Sequence, residues 1–238
     1  MTKPQDYRHI FFDLDNTVTR SRSAITPEMK SALLGLLESG REVIIVSGAE
    51  VSQALKQTEN LPLIFLGQNG NHAFDGKRQS DLWREQLSDS EKAQIYAHIK
   101  SIPVTWDVAN KHDLVEDRGS QISYSLLGHH EDVSKKEAFD PKSERRMQIL
   151  VEHPLVSDTI EVVIGGTTCF DYIRKGFDKG HNVTRLIQER GWKKEECVYV
   201  GDALFPGGND EKVLGVIDTK SVANPDETLG FVQKILAS

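Results

Sequence analysis

Short runs of apolar, often β-branched residues alternate with stretches of helical periodicity at both ends of the chain. Ile10-Phe11-Phe12, Val43-Ile44-Ile45-Val46, Leu63-Ile64-Phe65-Leu66 and Val198-Tyr199-Val200 are near-continuous hydrophobic segments, the signature of parallel strands covered by helices on both faces. The helices between them carry legible punctuation. One is predicted by Thr26 as a cap, Pro27 in the first helical position, Met29, Leu33, Leu36 and Leu37 as an apolar stripe, and Gly40 past its end. Another spans about 182–190 and stops at Gly191, and a last one follows Asn224-Pro225. This is an open α/β layout built on a Rossmann-like parallel sheet.

The middle of the chain reads differently. Ser88-Asp89-Ser90-Glu91 is a capping box that opens a helix carrying Ile95, Ile99 and Ile102. Gln121, Ser123 and Ser125 alternate with Ile122, Tyr124 and Leu126, which predicts a half-exposed antiparallel strand. Asp140-Pro141 predicts the start of a helix running to about His153, and residues 160–164 and 167–173 form two more strands around Gly165-Gly166. An α+β insert, 84–176, therefore interrupts a discontinuous α/β domain made of 1–83 and 177–238.

Composition narrows the picture. With 238 residues, 38 % of them hydrophobic and 27 % charged, the chain is an ordinary globular protein with enough length for a core that needs no disulfides. Its net charge is −7, and the insert holds 12 basic against 16 acidic residues. Neither part has the basic excess that binding to nucleic acid demands. The two cysteines, Cys169 and Cys197, lack any disulfide or zinc spacing and are expected to be reduced, buried thiols. The longest stretch without Asp, Glu, Lys or Arg, 60–74, has 15 residues, short of the ~20 apolar residues a membrane span requires. Residues 1–15 have no apolar segment followed by small residues, so no signal peptide and a cytoplasmic location are expected.

Chemistry gathers at the predicted strand ends. The first strand runs into Asp13-Leu14-Asp15-Asn16-Thr17. Residues two apart on a strand share a side, so both carboxylates emerge at the carboxyl end, where open α/β sheets place ligands. Two close carboxylates repel unless a cation such as Mg²⁺ or a shared proton intervenes. Taken alone, such a pair serves as well for a helix cap or a solvated turn. Ser47-Gly48 follows the second strand and precedes a helix, offering an anion a hydroxyl and free N–H groups; an N-cap serine would look the same. Lys179 stands beside a helix start, where the dipole disfavours a cation unless a phosphate lies nearby. Finally, Asp202 closes a strand and a Gly-rich loop carries Asn209 and Asp210, a source of oxygen ligands for a hard cation. In combination these residues are the equipment for phosphoryl transfer through an aspartyl-phosphate.

On these residues the chain resembles the haloacid dehalogenase-like (HAD) superfamily, type IIB (Cof-type), whose four motifs are matched by 13–17, Ser47, Lys179 and 201–210. The Leu66-Gly67-Gln68-Asn69-Gly70 turn resembles that branch as well. Gly165-Gly166, Phe170-Asp171, Gly176-Phe177-Asp178-Lys179 and Pro206-Gly207-Gly208-Asn209-Asp210 are similar to signatures of the eukaryotic phosphomannomutase subgroup. The resemblance implies Asp13 as nucleophile and Asp15 as acid and base. It implies Thr17, Ser47, Gly48 and Lys179 as phosphate ligands. Mg²⁺ would be held by Asp13, Asp15 through its carbonyl, and Asp202, with Asn209 and Asp210 behind them. The insert becomes a C2-type cap that closes over the site and contacts substrate through Arg118, His129 and Lys136, with His130 beside them.

Two departures from the family pattern stand out. Asn16 replaces a usual Gly, and Asn is the residue that best tolerates a left-handed backbone after Gly. His129 and Lys136 stand where the mutases carry arginines, and neither reproduces the bidentate fork of Arg. The expected function is therefore a phosphatase acting on a small phosphorylated sugar, with phosphomannomutase activity as the alternative and a non-catalytic phosphosugar-binding module as a third reading. The expected assembly is a monomer or a cap-mediated homodimer. A Rossmann dehydrogenase is a poor fit, because no GxGxxG follows the first strand.

Overall fold

The computed structural model describes residues 6–103 and 106–237. In chain order the elements are β1 (His9–Asp13), α1 (Pro27–Glu38), β2 (Glu42–Val46), α2 (Val51–Gln57), β3 (Ile64–Gly67), β4 (His72–Asp75), β5 (Ser80–Arg84), α3 (Asp89–Ser101), β6 (Val115–Asp117), β7 (Gln121–Ser125), α4 (Val133–Phe139), α5 (Glu144–Glu152), β8 (Ile160–Gly165), β9 (Cys169–Arg174), α6 (Lys179–Arg190), β10 (Cys197–Gly201), β11 (Asp218–Ser221) and α7 (Pro225–Leu236). They fall into two compact units. One comprises Met1–Arg84, Asp178–Pro206 and Asp210–Ser238; the other Glu85–Phe177 with Gly207–Asn209.

The first unit is a seven-stranded sheet in the order β11-β10-β1-β2-β3-β4-β5. Pairing is parallel from β11 to β3 and antiparallel through β4 and β5. The continuous apolar runs follow from burial on both sides. Ile10, Phe12, Val43 and Ile45 enter one hydrophobic layer with Leu33, Leu36 and Val232 of α1 and α7. Phe11, Ile44, Val46 and Tyr199 enter the opposite layer with Val183, Leu186 and Ile187 of α6. α1 carries the Thr26 cap, whose hydroxyl accepts from Met29 N, and Gly40 follows its end at φ +79°.

α6 differs from expectation. It starts at Lys179 rather than near 182, because the Asp178 side chain accepts from His181 N and so caps a helix whose first turn includes a glycine. Lys179 is thus the first helical residue.

The second unit is a four-stranded antiparallel sheet, β6-β7-β9-β8. Its apolar face, with Ile122, Tyr124, Phe170 and Tyr172, packs on Ile95 of α3 and Ile149 of α5. The capping box at Ser88 and Glu91 is formed in both directions. β7 is not half-exposed: all five residues are buried. Ser123 donates to Asp171 Oδ1 at 2.7 Å and Ser125 Oγ lies 3.0 Å from Thr168 Oγ1, so the polar face is covered as thoroughly as the apolar one. The helix expected at 140–153 begins only at Glu144. Asp140 instead turns its carboxylate onto the N–H groups of Arg145 and Arg146, and Ser143 adopts φ +59°. Cys197 is buried, whereas Cys169 is only partly so. Among the described residues no helix is long and apolar enough to cross a membrane.

Candidate active site

Phe12 of β1 is in register with Val200 of β10, so Asp13 and Asp202 leave the sheet side by side at its carboxyl edge. Oxygens of Asp13, Asp202 and Asp210 lie within 4.8 Å of one another. Lys179 Nζ donates to Asp13 Oδ1 at 2.7 Å and to Asp210 Oδ1 at 2.8 Å. Tyr199 donates its hydroxyl to the same Asp210 oxygen at 2.5 Å. Two of the three carboxylates therefore share one ammonium, and Asp13, Asp210 and Lys179 are all buried.

The electrostatic consequence is strong. Burial pushes the Asp13 carboxyl well above its ordinary value; Lys179 pulls it back while Asp210 and Asp202 push it further up. Burial and then Asp210 raise Asp202 to about 6. Burial disfavours the Lys179 ammonium, but Asp13 and Asp210 outweigh that and hold its proton firmly. Asp13 Oδ2 is buried with no hydrogen-bond partner. An orphaned carboxylate oxygen among acids that resist ionisation is the donor set a hard divalent cation satisfies. Asp210, expected behind the metal ligands, is part of the carboxylate cluster itself.

Asp15 lies outside that cluster. Its Oδ1 accepts from Arg22 N at 2.9 Å and from Gln57 Nε2 at 3.2 Å. Asn16 takes the left-handed conformation at φ +62°, as its tolerance predicts. Thr17 is buried, with Oγ1 3.5 Å from Asp202 Oδ1. Ser47 stands one residue past the Asp13–Val46 pair of β1 and β2; its Oγ accepts from Ala49 N at 3.0 Å, with Gly48 between them.

The second unit brings its expected residues together as well. The Arg118 guanidinium clasps Glu116 Oε2 at 2.6 and 3.0 Å; burial opposes its charge, but Asp171 and Glu116 more than compensate. Lys136 Nζ donates to the His129 carbonyl at 3.1 Å. His129 Nε2 faces Ser123 O at 3.3 Å, and its Nδ1 lies 3.6 Å from Glu116 and 4.0 Å from Cys169 Sγ. Burial alone would raise the Cys169 thiol; His129 outweighs it and brings the thiol to about 7. His130 stands apart, exposed and paired with Asp113. Asn209 falls in the 207–209 segment grouped with this unit, and its Oδ1 is buried without a partner.

Sequence reasoning missed Gln57, Tyr199 and Asn182. Gln57 occupies the buried stripe of α2 after Val51 and Ala54, and a polar side chain on an apolar stripe is the signal that could have found it. Tyr199 hides inside a hydrophobic strand. Arg146 was also missed: wholly buried, it donates to Asp140, Ser143 and the carbonyls of Gly165 and Gly166.

A parallel sheet that delivers acids, a hydroxyl and a lysine to one edge defines a Rossmann-like α/β enzyme. This chain belongs to the haloacid dehalogenase-like hydrolase family, whose profile matches residues 10–219. It is similar along nearly its whole length to phosphomannomutase 1 of Dictyostelium discoideum, 26 % identical over 240 residues with 94 % of each chain covered. Phosphomannomutase of Spinacia oleracea is 23 % identical, covering 92 % of this chain and 91 % of that one. Among solved structures, a Streptococcus mutans protein superposes with a TM-score of 0.70 at 15 % identity, covering 98 % of this chain and 100 % of the other. An IMP-bound IMP-nucleotidase of Plasmodium falciparum gives 0.68 at 14 %, covering 98 % and 68 %.

Proposed function

We propose that this protein moves a phosphoryl group of a phosphorylated sugar through an aspartyl-phosphate on Asp13, with phosphomannomutase-type isomerisation as the leading outcome. The observation that carries the reading is the Asp13 carboxylate: one oxygen is held by Lys179 and the other, buried, has no partner. With the charge of the cluster offset by a cation, this carboxylate is the nucleophile. It attacks phosphorus while the ester P–O bond breaks, and Asp15 gives its proton to the leaving alkoxide. Asp15 then takes a proton from the acceptor hydroxyl that resolves the intermediate. Gln57 and the Arg22 N–H hold Asp15 Oδ1, which leaves proton exchange to Oδ2.

Thr17, Ser47, the Gly48 N–H and Lys179 bind the phosphoryl oxygens. Mg²⁺ bound by Asp13, Asp202 and the Asp15 carbonyl, with Asp210 supporting it, would offset the charge that builds on those oxygens. The second unit is the cap that selects the substrate, through Arg118, His129 and Lys136.

The relatives support this reading over hydrolysis, which the sequence placed first: several that cover nearly the whole chain are phosphomannomutases. Hydrolysis stays as the second reading on one observation. Arg118 is clasped by Glu116, and positions 129 and 136 offer no guanidinium to grip a bisphosphorylated sugar in two orientations. Incubation with mannose 6-phosphate, Mg²⁺ and a bisphosphate activator, following both mannose 1-phosphate and inorganic phosphate, separates the two. Isomer formation is expected; free phosphate alone selects hydrolysis, and neither product from any sugar phosphate refutes phosphoryl transfer.

A further inference from the structure

Two phosphate ligands of the proposed site reach it from distant segments: Ser47 after β2 and Lys179 at the start of α6. Their shared register depends on a third segment, the turn 68–70 after β3. The Ser47 carbonyl accepts from Asn69 N at 2.9 Å, and the Ala49 carbonyl accepts from Gln68 N at 2.8 Å. The turn therefore holds the serine loop from beneath. It is also an unusual turn, with consecutive left-handed residues at Gln68 (φ +55°), Asn69 (φ +57°) and Gly70 (φ +88°). Non-glycine residues persist there only where surrounding contacts over-determine them.

Asn182 supplies one such contact. It is fully buried and sits one helical turn beyond Lys179. Its Nδ2 donates to Asn69 O at 2.9 Å and also has Asn71 Oδ1 at 3.3 Å and Asp178 O at 3.2 Å. Three acceptors around one atom require that atom to be the amide nitrogen. The approach is so close that a Cβ on Gly70 would lie 2.3 Å from Asn182 Cβ. On its other side the turn is pinned by Trp83, whose Nε1 donates to Gly70 O at 2.8 Å.

We infer that Asn182 is a positioning residue that ties the lysine helix to the serine loop through the 68–70 turn, so that the ammonium and hydroxyl meet the same phosphoryl group. This rests on the phosphoryl-transfer reading above. Loss of the Asn182 donors removes the 2.9 Å bond to the Asn69 carbonyl and with it the direct side-chain tie between the lysine helix and the turn. Misplacement of that kind lowers turnover and loosens phosphate rather than merely loosening the fold.

The test uses p-nitrophenyl phosphate with Mg²⁺, and inorganic phosphate as inhibitor, well below each variant's melting temperature. Asn182→Ala and the isosteric Asn182→Asp are expected to lower kcat/KM about tenfold or more and to raise the inhibition constant for inorganic phosphate comparably. Asn71→Ala, which removes the 3.3 Å acceptor of Asn182 and, with it, the 2.9 Å bond from Asn71 Nδ2 to the Gln68 carbonyl of the same turn, should show the same pattern about two- to threefold in size and keeps the test alive if the Asn182 variants do not fold. A lowered melting temperature with kcat, KM and inhibition unchanged would overturn the inference. Asp13→Asn separates the two claims: if it abolishes turnover while Asn182→Ala does not alter it, only the positioning role fails. If no ester is turned over, calorimetry of inorganic phosphate binding decides. Weaker binding by Asn182→Ala supports the role; equal binding, or none by either protein, overturns it.

Discussion

The two units handle charge in opposite ways. In the first, Asp13, Asp202 and Asp210 crowd together, with a single ammonium paired to Asp13 and Asp210. In the second, Arg146 is neutralised by Asp140, and Glu91 by Arg174. A buried group with all its partners built in serves architecture. A buried cluster short of positive charge is strained in isolation and relieved by something it binds. The contrast locates the chemistry more sharply than any single motif.

Asp13→Asn tests that contrast most severely. Turnover should fall by at least about a thousandfold, as expected for loss of a nucleophile. The metal-free protein should melt no lower than wild type, because one of three mutually repelling carboxylates has gone. A large loss of thermal stability would show that Asp13 is structural.

Arg146→Ala is the counterpart in the second unit. It leaves the Asp140 carboxylate buried and uncompensated and should cost about 3–5 kcal/mol, read as a drop in the urea midpoint. An unchanged midpoint would mean that the pair is not the internal staple its burial implies.

Titration should separate the units by sign. Asp202 is raised from 3.8 to about 6, so the folded metal-free protein binds more protons than the unfolded chain between those values, and its stability falls as pH rises through that window. Saturating Mg²⁺ or Asp202→Asn should flatten the fall. Glu91 is lowered from 4.5 to about 2, chiefly by Arg174 and, against the opposing effect of burial, by Ser88. Its contribution is complete above 4.5 and disappears as pH falls toward 2; Glu91→Gln should remove that acid-side loss. Melting temperature across pH, with and without Mg²⁺, measures both. Ser88→Ala is the mildest test, removing one side of the capping box at a cost of about 1 kcal/mol.

Much of the first unit was legible because parallel strands buried on both faces must be apolar throughout: Phe11 and Phe12 face opposite layers, and both are needed there. Punctuation was equally readable at Thr26, Ser88 and Asn224, where local hydrogen bonds decide the helix start. β11 was invisible, since Asp218–Ser221 is exposed along its length and joins the sheet by backbone pairing, which no side chain announces. The polar face of β7 misled for a related reason: alternation reports which positions share a side, not whether that side meets water.

From its sequence alone this protein determined where carboxylates, hydroxyl and lysine leave their strands and helices, because i to i+2 spacing and capping are local geometry. Only the tertiary structure decided that Asp210 joins Asp13 and Asp202, that Gln57 holds Asp15, and that Asn182 bridges to the turn at 68–70. Those contacts join residues brought together by loop closure, and hydrogen bonds between such residues follow from where the backbone packs rather than from any spacing along the chain.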